Sequence, residues 1–121
     1  MGGSSGDSWY TGNAATDSGL HHGWLLGHFI DPAHGIRNTE ALEVKWGIHP
    51  AGRTRRSWTE GETRTTMAIL VSGRFRIDLS TGSVTLGQQG DFVVWGPGID
   101  HSWESETDSV VITVRWPSVP G

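Results

Sequence analysis

The chain has 121 residues and a net charge of −4 with neutral histidines, a length that suits one domain. That acidic balance argues against a nucleic-acid surface, which needs a basic stripe to neutralise phosphates, and gives no attraction to an anionic bilayer. There is no cysteine, which excludes disulfides, thiolate metal sites and a cysteine nucleophile.

Residues 1 to about 23 are rich in Gly, Ser, Asn, Asp and Thr and keep no period; they read as a loosely draped arm, with the main domain running from 24 to 121. Trp24 to Ile30 is a short apolar run stopped by Asp31-Pro32. Leu42, Val44, Trp46 and Ile48 then alternate with Glu43, Lys45 and Gly47, the two-residue period of a half-buried strand. After a polar stretch from Arg53 to Thr63, Thr65 to Val71 is rich in strand formers. Ser72-Gly73 predicts a hairpin into Phe75, Ile77 and Leu79, and Thr81-Gly82 turns again into Val84 and Leu86. Phe92 to Trp95, His101 to Glu104 and Ser109 to Trp116 complete the series, with a corner at Gly96-Pro97-Gly98. Short strands separated by glycine turns predict an all-β sandwich or barrel. The longest apolar run, Met67 to Val71, is far short of the roughly 20 residues that span a bilayer. With no secretory signal pattern either, the expectation is a soluble cytoplasmic protein without membrane or nucleic-acid partners.

Three strands, Met67–Val71, Phe92–Trp95 and Val110–Val114, are apolar on both faces. An isolated antiparallel sheet usually wets its outer face, so a homodimer is expected.

The segment from Gly90 carries a recognisable spacing. Five residues, Asp91 to Trp95, lead to Gly96-Pro97-Gly98, and His101 follows after two more. This resembles the second signature of the cupin superfamily: glycine, five residues, Pro-x-Gly, two residues, His, three residues, Asn. The proline is displaced by one, and Ser105 stands at the Asn position. The first cupin signature keeps its frame between Gly52 and Gly73 but not its ligands. Counted forward from Gly52, its His-x-His slots fall on Trp58 and Glu60; counted back from Gly73, they fall on Glu60 and Glu62, with Thr66 at the Glu slot. The chain is also similar to small single-domain cupins of actinobacteria often labelled signal peptidase I, yet no Ser/Lys pair stands on a recognisable protease motif. The resemblance implies a double-stranded β-helix, the cupin or jelly-roll barrel, holding a small-molecule ligand inside.

In such a barrel His101 is the secure wall residue. A metal site would recruit His101, His49, Glu60 and Glu62 around a divalent transition metal. Glu60 and Glu62, two apart, would share one face of a strand. Without metal, the same residues could serve acid/base chemistry, with His101, Glu60 and Glu62 as catalytic groups; alternatively the two glutamates pair with Arg53, Arg55, Arg56 or Arg64 on a polar loop. Trp58, Trp95, Trp103, Trp46 and Arg53 are the candidate ligand-binding residues. Three functions are open: a small-molecule-binding cupin without a complete metal site, a cupin enzyme of dioxygenase or isomerase type, or a structural partner-binding module.

Overall fold

The computed structural model describes residues 4–5, 8–55 and 57–119. It divides into two compact units, one made of Met1–Trp46 with Val114–Gly121 and the other of Gly47–Thr113.

In the first unit, β1 (Ser4–Ser5) pairs antiparallel with β2 (Tyr10–Thr11). Helix α1 (Ala14–Asp17) follows, its first turn capped by the Asn13 side chain, which accepts from Thr16 N at 3.2 Å; such a cap satisfies a donor that the helix itself leaves open. Strand β3 (Trp24–Leu26) pairs antiparallel with β4 (Glu43–His49, whose last three residues belong to the second unit), with a shift in register between Trp24 and Leu26. The Trp24 ring stacks on Phe29 at 4.2 Å, and the Arg115 and Lys45 cations lie 5.0 and 5.6 Å from its centroid.

Strand β4 departs from its sequence pattern. Its most buried positions are Glu43 and Gly47, while Val44 and Trp46 are half-buried and Ile48 is 64% exposed. Glu43 is wholly buried because a cation meets it there: Arg115 Nη2 is 2.7 Å from Oε2, and His28 Nδ1 is 3.9 Å from Oε1. Gly47 is buried because a Cβ there would lie 2.6 Å from His49 Nε2. His28 is tethered in turn to the fully buried Ser118, whose hydroxyl accepts from His28 N at 3.0 Å and lies 2.7 Å from Nδ1. Serine and glutamate address the same ring nitrogen, so this is a structural clamp and not a nucleophilic triad, which uses the two nitrogens separately.

In the second unit, β5 (Thr65–Ser72), β6 (Phe75–Leu79), β7 (Gly82–Leu86), β8 (Phe92–Trp95), β9 (His101–Ser105) and β10 (Ser109–Trp116, whose last residues belong to the first unit) form two antiparallel layers. One has the order β10-β5-β8 and the other β7-β6-β9. The core between them is Ala68, Leu70, Trp95 and Val111 from the first layer and Phe75, Ile77 and Leu86 from the second. Each is 7% exposed or less, and burial of this order contributes about 1.5–3 kcal/mol per large side chain. The fold is all-β, as the strand pattern predicts, and it is the jelly roll that the resemblance implies.

The Ser72-Gly73 turn is the exception. It predicts a hairpin, yet β5 and β6 lie in different layers. Gly73, at φ +96°, sits so close to Asp108 O and Ser109 that a Cβ would collide with both. Ser109 Oγ then accepts from Arg74 N at 3.1 Å and donates to Arg74 O at 3.0 Å. The chain is thereby turned onto the β9–β10 connection, and the true hairpin is β6–β7.

The outer faces of the two layers differ. On β6 and β9, Arg76 bonds Asp78 at 3.0 Å and Glu104 at 3.2 Å. On β5 and β8, the facing pairs are Met67 with Val94 and Ile69 with Phe92; Phe92 is 63% and Val94 47% exposed.

Candidate functional site

Strand β9 aims His101 inward. The registers Leu79↔His101 and Ile77↔Trp103 place both residues on the face that Ile77 gives to the core. His101 is half-buried, and its ring centroid lies 5.0 Å from that of Trp95 at 52°. Trp95 sits opposite Thr66 in the β5–β8 ladder, so their side chains share one face.

Here the structure shows an unusual deficit. Thr66 is 1% exposed and Trp95 7%, and neither Thr66 Oγ1 nor Trp95 Nε1 has a hydrogen-bond partner. Buried polar atoms are nearly always paired, and leaving one unpaired costs about 1–3 kcal/mol. Two such atoms stand on one wall beside His101.

The loop that closes this region is pinned by its backbone. Thr59 N donates to His101 O at 2.8 Å, and His101 N to Thr59 O at 3.1 Å. Gly98 N donates to Glu62 O at 2.8 Å, with Gly98 at φ +84°, a conformation that favours glycine in this corner. Glu62 is thus anchored to the turn that delivers His101. Its carboxylate is engaged, however: Oε1 accepts from Arg64 N at 3.0 Å and Nε at 2.7 Å, and Oε2 from Nη2 at 2.8 Å. Of the alternatives in the sequence, pairing with Arg64 is realised for Glu62.

The other expected residues are dispersed. Glu60 is exposed while Glu62 is 8% exposed; they do not share a strand face, because the segment between Thr59 and Arg64 is irregular. His49 lies against Phe75 at 4.8 Å and Trp103 at 4.5 Å, in an aromatic cluster. Trp58 is 45% exposed, and Arg53 and Arg55 are exposed. Arg55 Nε donates to Ser57 O at 3.0 Å, and Arg56 lies outside the described residues. Trp46 belongs to the first unit, where its indole N–H is buried without a partner. Among the described residues, no three His, Asp or Glu side chains converge on a possible metal position. A divalent ion needs about three good protein ligands, and the described residues present no such group.

No family model matches this sequence, and no curated protein matches it. Solved structures do. KdgF from Halomonas sp. aligns at TM-score 0.60 with 22% identity, over 69% of this chain and 77% of that one. An RmlC-like cupin from Shewanella frigidimarina aligns at TM-score 0.59 with 18% identity, over 65% and 68%. The chain has the cupin fold. A salicylate 1,2-dioxygenase mutant from Pseudoaminobacter salicylatoxidans also aligns, at TM-score 0.55 and 18% identity, over 63% of this chain and 21% of that chain. Identities this low carry the fold alone. In the cupin frame, Thr66 is the position that back-counting from Gly73 assigns to the first signature's Glu, and a hydroxyl stands there.

Proposed function

We propose that the chain is a small-molecule-binding cupin whose ligand lies against His101, Trp95 and Thr66 and is held without a complete metal site. The supporting observation is the pair of buried, unpartnered groups, Trp95 Nε1 and Thr66 Oγ1, beside an inward imidazole. An indole N–H donates only and a hydroxyl does both, so the ligand presents at least one acceptor, with an apolar part for the Trp95 ring. An acid/base enzyme is the weaker reading, since Glu62 gives both oxygens to Arg64 and Glu60 is exposed. The test is native mass spectrometry of untagged protein. A copurifying small molecule, lost in Thr66→Val and Trp95→Phe, supports the reading. Near-stoichiometric transition metal that disappears in His101→Ala overturns it in favour of a metalloenzyme.

A homodimer is the second element of this reading. One outer face of the second unit is charged, and the other carries Met67, Ile69, Phe92 and Val94. A second copy across that apolar face would cover what water now meets.

A further inference from the structure

The first unit holds a cavity of about 310 Å³. This is the small end of the ligand-pocket range of about 300–1,000 Å³. Leu25, Leu26 and Ile36 give it apolar walls, with Ile36 56% exposed at the rim. Asp17 and Arg37 also line it, and both are buried, at 3% and 5% exposure.

Each of these two charged groups has one polar atom held and another buried without a partner. Asp17 Oδ2 accepts from Tyr10 Oη at 2.6 Å, and Gly12 lies so close that a Cβ there would overlap that oxygen. Asp17 Oδ1 is buried with no partner. Arg37 Nε donates to Leu25 O at 3.1 Å, and its guanidinium carbon lies 4.5 Å from the Tyr10 ring centroid. Arg37 Nη2 is buried with no partner. The cavity is therefore lined by one carboxylate and one guanidinium, each with a buried polar atom left unpaired, beside an apolar wall. Unpaired buried charge is costly, and the occupant that relieves both groups must carry both signs. A plain carboxylic acid would satisfy Arg37 and set like charge near Asp17. An amine would do the reverse, and an alcohol would neutralise neither.

We propose that this cavity binds a free α-amino acid with an apolar side chain. Its ammonium meets Asp17 Oδ1, its carboxylate meets Arg37 Nη2, and its side chain rests on Leu25, Leu26 and Ile36. The fields of Asp17 and Arg37 also meet at His21: Arg37 disfavours its proton and Asp17 favours it.

The test is calorimetric titration of the full-length protein with L-leucine and L-phenylalanine. Leucinamide, which lacks the carboxylate, and 4-methylpentanoate, which lacks the ammonium, are expected to bind at least about tenfold more weakly, the loss of one charged hydrogen bond. Asp17→Asn and Arg37→Gln are expected to weaken leucine by a similar factor. Should either variant fail to fold by circular dichroism, Ile36→Asn at the exposed rim decides, with at least about fivefold weaker binding expected. Absence of binding by both amino acids at millimolar concentration overturns the proposal. So does equal affinity for 4-methylpentanoate, or unchanged leucine binding in Ile36→Asn. Leucine binding should survive Thr66→Val; its loss there would move the amino acid to the His101 site.

Discussion

Thr66→Val is the sharpest probe of the second unit. Valine keeps the β-branched shape that suits a strand and exchanges a buried, unpartnered hydroxyl for a methyl group. With Thr66 1% exposed and its hydroxyl unpaired, the wild type carries a desolvation cost of about 1–3 kcal/mol, part of which the substitution removes. The expected gain is about 1–2 kcal/mol. For a domain of this size, 1 kcal/mol shifts Tm by about 3–6 °C, so a rise of about 3–12 °C is expected. The measurement is thermal and urea unfolding of ligand-stripped protein, with the urea m-value unchanged. Binding should move the opposite way, since a methyl group gives a ligand no hydrogen bond. Gain of stability with loss of binding is the mark of a polar group kept for function. A Val variant less stable than wild type by 1 kcal/mol or more, an estimate set by the value of one hydrogen bond, would refute the reasoning, because the hydroxyl would then have a structural partner.

Three further outcomes are expected. Arg115→Met should destabilise the fold by about 3 kcal/mol in urea unfolding by taking the 2.7 Å cation from the fully buried Glu43, and adding Glu43→Leu should restore most of the loss. Burial first, then the nearby Arg37 cation, with His34 and His22, hold the His21 pKa below its ordinary value against the opposing pull of Asp17. The folded state thus favours neutral His21, and this contribution is complete above pH 6.5 and is lost as pH falls through the lower folded pKa; unfolding measured from pH 7.5 to 5 should show the decline, and His21→Gln should flatten it. Val94→Lys, on the exposed apolar face of β8, should convert a dimer to monomer in sedimentation at micromolar concentration without shifting the circular dichroism spectrum; a wild type that is already monomeric refutes the dimer.

Much of the second unit was legible in the sequence because its signals are local. Alternation in Phe75, Ile77 and Leu79, and the spacing from Gly90 to His101, survive into β6, β8 and β9 without tertiary help. Ser72-Gly73 was misread because a short Ser-Gly turn serves a hairpin and a layer-to-layer crossing equally well, and only contact with Ser109 separates them. Glu43 was hidden for the same reason: nothing within ten residues announces that Arg115 will meet it. Glu62 could be found as a carboxylate near His101, but its partner Arg64 was one of four arginines at hand. The weight of Thr66, Asp17 and Arg37 lies in bonds they do not make, and a missing partner leaves no mark on a sequence.

The inverted burial of β4 bears on how that strand finds its place. Side chains in a strand alternate, so sliding it by one residue would exchange its two faces. Apolar burial cannot oppose that slip here, because Leu42, Val44, Trp46 and Ile48 would gain cover from it. Glu43 opposes it: the slip would carry the carboxylate out of reach of Arg115 and His28 and strand both. The ion pair then acts as a locating pin more than as a source of stability, the use for which buried charge is best suited. Replacing both partners by apolar residues should leave a chain that is no less stable and less certain where its fourth strand belongs.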